Sequence, residues 1–352
     1  MSKKIISVII ILIVLGLIYY FLPDSTDNSN LNVTVRKFDI KEREFSIKNS
    51  NIVINFNANA VFNKFSKKYM ELTLYLSNVD NILSESFNED CFVGYYEVIT
   101  GNDTAFIVAD RMEILSNLKI KKKNAISMIL DYSVSMHNNS GYNSTAALPI
   151  TYLEKAANKF IYSKNSYDLV EIIKFGSTID LVCSFTDNNK KLGSALYQRS
   201  YERVGTALFS SIANGINHLN GINNTYMKSL VAFTDGGDHD SQITYDELVD
   251  LAKRCKIPIF TVGLKSEDFD ENILYILSKS TGGFYYSTPS PEEIEKLYYA
   301  IDNNIRNSYL LKFYWNAIKI PLSYDFLNFV CRIIDMNTVV AEYRLDNINF
   351  NN

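Results

Sequence analysis

The sequence predicts a doubly wound α/β domain with a mostly parallel sheet, inserted in or flanked by an antiparallel β-sandwich-like domain, behind one N-terminal transmembrane helix. Three observations carry this expectation. An uncharged apolar run opens the chain. Period-two alternation governs two stretches that lie far apart in sequence. Between them, short wholly apolar runs alternate with amphipathic helical stretches.

The opening run is Ile5 to Leu22, "IISVIIILIVLGLIYYFL". A helix of roughly 17–25 apolar residues spans a bilayer core. Lys3 and Lys4 precede the run, and Asp24 and Asp27 follow it. The positive-inside bias leaves residues 1–4 as a cytoplasmic stub and exports the rest. The run exceeds the core of about 7–15 residues usual in a cleaved signal peptide, and no small-residue cleavage site follows. The expectation is a single-pass signal anchor at 5–22, with the bulk of the chain at a cell surface or in a periplasm.

Residues 31–122 read as the first part of a β domain. In "NIVINFNANAVF" the residues Ile52, Ile54, Phe56, Ala58 and Ala60 share one face, and Asn55, Asn57 and Asn59 share the other. In "YMELTLYLS", Met70, Leu72, Leu74 and Leu76 alternate with Glu71, Thr73 and Tyr75. Such alternation marks half-buried antiparallel strands. "CFVGYYEVIT" and "TAFIVADRMEIL" continue the β-rich composition, and "KIKKKN" at 119–124 reads as a solvated boundary.

The pattern changes over 125–305. The runs "AISMIL", "LVEIIKF", "IDLVCSF", "SLVAFT" and "IPIFTVGL" are apolar almost throughout. Between them lie "LPITYLEKAANKFIY", "TALFSSIANGINHL", "TYDELVDLAKRC" and "DENILYILSKS", which alternate with helical period. Buried strands separated by amphipathic helices predict a sheet covered on both faces. Ligands in such sheets bind beyond the C-terminal strand ends. Over 308–345 the β pattern returns in "SYLLKFYW", "FLNFVCRII" and "TVVAEYRL". Three strands make a poor domain alone, so they are expected to complete the first β domain. Of the four cysteines, Cys91 and Cys331 would then share that domain, and in an oxidising compartment they are the pair able to form a disulfide.

Composition excludes some function classes. With 47% hydrophobic and 21% charged residues and a net charge of -4, the chain is globular and shows no basic patch. Nucleic acid is therefore not an expected partner. The templates GxxxxGK[ST], HExxH and GxSxG are absent. "DFDEN" at 268–272 opens like a calcium loop, but Ile273 and Lys279 stand where a glycine and a bidentate glutamate are required. No base or nucleophile stands out, and the protein is not expected to be an enzyme.

The chemistry-bearing stretch is "DYSVS". Asp131 ends an apolar run, and Ser133 and Ser135 follow at alternate positions. Alone, this reads as a strand-to-helix turn with a capping side chain. Two further segments change that reading. "RVGTALFSSI" sets Thr206 after a glycine at a helix start. "SLVAFTDGGDHDS" sets Asp235 at another buried strand end. Asp131, Ser133, Ser135, Thr206 and Asp235 offer oxygen donors only, two carboxylates and three hydroxyls. Such sets suit hard divalent cations, Mg²⁺ or Mn²⁺ above all. Neutral hydroxyl ligands leave the ion incompletely compensated, which favours an incoming carboxylate from a partner. Asp238, His239 and Asp240 read as a solvated loop, with a second cation site or rim contacts as the alternative. Tyr132 and Tyr142 are candidates to line a binding face.

These segments resemble the metal-ion-dependent adhesion site of the von Willebrand factor type A (VWA) family. "IPIFTVGL" with "LSKSTGGFYYS" is similar to that family's last strands and glycine turn. The resemblance implies that Ser133, Ser135 and Thr206 hold the metal through hydroxyls. It implies that Asp131 and Asp235 act directly or through water. Val134 stands where the family often has glycine. The resemblance also implies a Mg²⁺ (or Mn²⁺/Ca²⁺) cofactor and a protein ligand with an exposed Asp or Glu. A non-enzymatic envelope assembly factor, or an accessory subunit of a membrane complex, is the alternative reading.

Overall fold

Alternation in the first third of the chain builds strands, and the computed structural model shows how they pair. It describes residues 34–37, 47–48, 50–52, 56–77, 87, 89–116, 123–138, 148–198, 204–264, 271–288, 293–316, 320, 323–335, 338–348 and 350. The apolar run 5–22 and the lysines at 119–122 lie outside these residues. Among the described residues, no helix is long and apolar enough to cross a membrane.

The strands before the α/β region are β1 (Thr34–Lys37), β2 (Asn51–Ile52), β3 (Asn57–Ser66), β4 (Tyr69–Ser77), β5 (Phe92–Thr100), β6 (Asp103–Val108) and β7 (Arg111–Ser116). The chain then enters β8 (Asn124–Asp131), α1 (Pro149–Ser163), β9 (Leu169–Phe175), β10 (Ile179–Thr186), α2 (Asn189–Leu196), α3 (Leu208–Asn220) and β11 (Met227–Thr234). It continues through α4 (Tyr245–Cys255), β12 (Ile259–Leu264), α5 (Glu271–Thr281), β13 (Tyr285–Thr288) and α6 (Ile294–Arg306). It closes with β14 (Tyr309–Tyr314), β15 (Phe326–Asp335) and β16 (Thr338–Leu345).

The α/β region forms a six-stranded sheet in the order β10-β9-β8-β11-β12-β13. All neighbours are parallel except β10, which runs antiparallel to β9 at one edge. β8 is buried at all eight positions, as a strand covered on both faces must be. Its residues alternate between two cores. Met128 and Leu130 pack with Leu153, Phe160 and Ile301 of α1 and α6. Ile129 packs with Ile212, Leu248 and Leu277 of α3, α4 and α5.

The remaining strands form two five-stranded sheets, β1-β7-β14-β4-β3 and β2-β16-β15-β5-β6. β14 lies between β7 and β4, and β15 pairs with β5. The C-terminal strands thus sit among strands that precede the α/β region. Their shared core holds Met70, Leu72, Leu74, Phe313, Trp315 and Phe329. The Tyr96 and Trp315 rings lie 4.4 Å apart, and the Phe313 and Phe329 rings 5.6 Å apart.

The face of β3 and β4 expected to be polar is partly buried against the α/β region. Tyr75 meets Phe260 of β12 edge-on at 5.7 Å, and Ser77 Oγ lies 2.7 Å from Tyr286 OH. Asn59 Nδ2 donates to Gly283 O at 2.6 Å. Gly282 explains the glycine turn: its φ is +92°, and a Cβ there would stand 2.6 Å from Ala60 O.

No disulfide joins Cys91 and Cys331, the pair that the sequence left open between a disulfide and buried thiols. Cys331 aligns with Gly94 and Tyr343 on its neighbouring strands, whereas Cys91 precedes β5.

Candidate metal centre

β8 and β11 are parallel neighbours, so Asp131 and the Thr234–Asp235 pair emerge side by side at the C-terminal sheet edge. Asp131 is fully buried. Its Oδ1 accepts from Ser133 N at 2.8 Å, and its Oδ2 accepts from Thr234 Oγ1 at 2.6 Å. The chain then makes one short helical turn, Val134–His137. Ser133 stands at its N-cap position without making a side-chain cap bond. Instead, Ser133 Oγ lies 3.0 Å from Ser135 Oγ, and Ser135 Oγ donates to Asp235 Oδ1 at 2.8 Å. Asp131 is thus joined to Ser133 through its amide, and the two serine hydroxyls lead on to Asp235. Burial, reinforced by the neighbouring Asp235 carboxylate, pushes the Asp131 carboxyl up to about 7.

Thr206 arrives from the other flank through its backbone. Ala207 N donates to Gly176 O at 2.7 Å, and the preceding Phe175 is the residue aligned with Asp131 on β9. Thr206 N donates to Asp240 Oδ2 at 2.8 Å, while His239 N and Asp240 N donate to Thr206 O at 2.9 and 3.2 Å. Gly205 is what admits this approach. Its φ is +86°, and a Cβ would stand 1.8 Å from Asp240 Oδ2.

Asp238 and Asp240 are more than the solvated loop expected from sequence. Asp238 Oδ1 accepts from Phe209 N at 2.9 Å and so caps α3 from a distant loop. Ser210 N donates to Ser241 Oγ at 2.8 Å. The two loops that carry Thr206 and Asp235 are thereby stapled together.

Tyr132, a candidate to line a binding face, does not do so, and Tyr142 lies outside the described residues. Tyr132 is 2% exposed, and its ring lies under the Lys174 ammonium at 4.2 Å. Tyr132 OH donates to Glu154 Oε1 at 2.7 Å. Parity explains the inward turn. Asp131 leaves the strand toward the site, and the next side chain must point to the opposite face. Sequence reading also passed over Thr234 and Lys174. The visible signal for Lys174 was a lysine inside the apolar run "LVEIIKF". His137 Nδ1 lies 3.1 Å from Ser133 O, and His218 Nδ1 lies 3.0 Å from the buried Glu171.

The donor set decides which ion fits. Among the described residues no cluster of three or more His, Cys, Asp or Glu side chains stands together. The groups gathered here are hydroxyls and two buried carboxylates, all oxygen. Two carboxylates drawn out of water at one spot call for positive charge, and hard oxygens suit a divalent cation of the Mg²⁺ type. The residues present fit such an ion.

Comparison with known proteins gives the following. Residues 126–300 match the model of the von Willebrand factor type A domain. An uncharacterized protein of Borreliella burgdorferi is 24% identical over 187 residues, covering 46% of this chain and 53% of that protein. The match therefore spans about half of that relative's length. An aerotolerance-related membrane protein of Bacteroides fragilis is 18% identical, covering 52% of this chain and 98% of that one, with a TM-score of 0.42. Proximal thread matrix protein 1 from the mussel byssus, with a zinc-occupied metal-ion-dependent adhesion site, is 12% identical. It covers 58% of this chain and 50% of that one, with a TM-score of 0.46.

Proposed function

Taking residues 126–300 as a von Willebrand factor type A domain, we propose that this chain is a membrane-anchored, extracytoplasmic binding protein that holds its protein ligand through a divalent cation. The observation that carries the reading is the set of contacts at one sheet edge: Asp131 Oδ1 on the Ser133 amide, and the Ser133 and Ser135 hydroxyls leading to Asp235. Ser133, Ser135 and Thr206 would hold the ion through their hydroxyls, and Asp131 and Asp235 directly or through water. A Mg²⁺ or Mn²⁺ ion bound there supplies a Lewis-acidic position for an Asp or Glu side chain of the partner.

Each residue of the chain has a definite part. Thr234 holds one oxygen of Asp131, and Ser133 N holds the other. Asp240 holds Thr206 in place by its backbone amide. The roles are binding and orientation, and we read the protein as non-enzymatic. The anchor is the apolar run 5–22, with the lysines on its N-terminal side directing residues 31–352 outward.

The test uses the full chain in detergent. Wild type and Asp131→Ala serve as baits for envelope proteins, with Mg²⁺ or with EDTA. A partner retained by wild type in Mg²⁺ alone, together with unchanged circular dichroism of Asp131→Ala, supports the proposal. A partner that stays bound in EDTA sinks it. A C-terminal reporter active only in the cytoplasm would overturn the orientation.

A further inference from the structure

We infer that Lys174 is a positioning residue that ties the 131–135 loop to the C-terminal end of α2, and thereby sets the affinity of the cation site. The affinity half of this inference rests on the cation-binding reading above. The loops at the sheet edge are joined at several places. The 131–135 loop is bonded to the 234–235 strand end through Thr234 and Asp235. The Thr206 segment is bonded to the 238–241 loop through Asp240 and Asp238. A third junction, between the 131–135 loop and the C-terminal end of α2, is made by Lys174 together with Tyr132.

Lys174 is fully buried in β9, one residue before the Phe175 that aligns with Asp131. Its Nζ donates to Leu196 O at 2.7 Å and Gln198 O at 2.8 Å. The same ammonium lies 4.2 Å from the centre of the Tyr132 ring, between the ligand positions Asp131 and Ser133. Tyr132 OH adds a bond to Leu196 O at 3.2 Å. The ammonium thus has carbonyls at the negative end of α2 on one side and an aromatic face on the other. A lysine brings three donors and a positive charge to this place, and an apolar side chain of equal length brings neither. Burying that charge is costly unless such partners surround it. Outer-shell residues that orient ligands typically change metal affinity by about 10- to 100-fold when removed.

The experiment measures Mn²⁺ binding to the full chain in detergent by calorimetry, and amide hydrogen exchange of the metal-free protein. Asp131→Ala is the non-binding control. Lys174→Met and Tyr132→Leu are each expected to weaken Mn²⁺ binding by about 10- to 100-fold. The double variant should lose no more than either single one, because both remove the same tie. Tyr132→Phe keeps the ring under the ammonium and removes only the hydroxyl bonds, so it should fall between wild type and Tyr132→Leu. In metal-free Lys174→Met, exchange should rise together at residues 131–136 and 194–198 while α3 and α4 stay protected. Mn²⁺ binding that is unchanged or tighter in Lys174→Met overturns the inference, since loss of a nearby positive charge alone would tighten it. A rise in exchange at only one of the two segments also overturns it. If wild type takes up no Mn²⁺, the cation reading fails, and the exchange measurement by itself decides the tie. If Lys174→Met does not fold, Tyr132→Leu carries both readouts.

Discussion

Asp131 shows how much of the site one residue carries. Its two oxygens are held from different places, Oδ1 by the Ser133 amide in the turn after β8 and Oδ2 by the Thr234 hydroxyl at the end of β11. Thr234→Val keeps the shape and deletes one donor, leaving a buried carboxylate oxygen unsatisfied. We predict a stability loss of about 1–3 kcal/mol in urea unfolding of the metal-free protein. A change within about 0.5 kcal/mol would show that this bond does not matter. Gly205 carries a steric counterpart. Gly205→Ala drives a Cβ into Asp240 and adds strain at φ +86°. A residue forced into such backbone costs on the order of 1–3 kcal/mol. Mn²⁺ affinity should fall with the stability, because Asp240 is what holds Thr206 N. Of these residues, Asp131 and Gly205 were visible as letters in a pattern. The bonds of Thr234 and Asp240 were not, because they join positions 103 and 34 residues apart.

Helices and strands behave as their sequence periods require, but their ends depend on one another. α4 caps itself: Thr244 and Glu247 form a reciprocal capping box that any reader of "TYDE" can find. α3 does not. Ala207 at its N-cap makes no side-chain cap bond, and the amide of Phe209 is satisfied by Asp238 from the far side of β11. Asp238→Ala should therefore destabilise α3 by about 0.5–2 kcal/mol, the usual worth of a cap. Hydrogen exchange at the first turn of α3 checks this. Protection that persists there in Asp238→Ala would count against it. The capping signal for α3 sits some thirty residues away, at 29 in sequence separation, where a local pattern search does not look.

At the scale of the molecule, the β region and the α/β region share buried surface through Tyr75, Ser77 and Asn59. The chain carries 24 tyrosines, and burial governs several of them. The Tyr286 hydroxyl is pushed up to about 12 by burial, and those of Tyr75, Tyr96 and Tyr298 are raised as well. A group whose folded value lies above its unfolded value gives stability that is complete below the unfolded value. That stability is lost as pH rises through the folded value. The protein should keep its fold to about pH 10 and lose it steeply toward pH 12. Tyrosinate absorbance of these residues should then appear together with the loss of circular dichroism. Titration of all tyrosines near pH 10 with the dichroism intact would contradict this.

The sequence by itself determined the element types and the donor chemistry. A strand covered on both faces has to be apolar throughout, and a half-covered one has to alternate, so "AISMIL" and "YMELTLYLS" announce their environments. Oxygen donors at Asp131, Ser133, Ser135, Thr206 and Asp235 are likewise legible, since ligand type is a property of the residue. Only the tertiary structure decided which of these groups touch and what holds them. It turned Tyr132 inward, made staples of Asp238 and Asp240, left Cys91 and Cys331 without a disulfide between them, and set Lys174 beneath the 131–135 loop. The reason is that strand order, β9-β8-β11, brings together segments separated by many residues. No local period or propensity encodes which strands become neighbours.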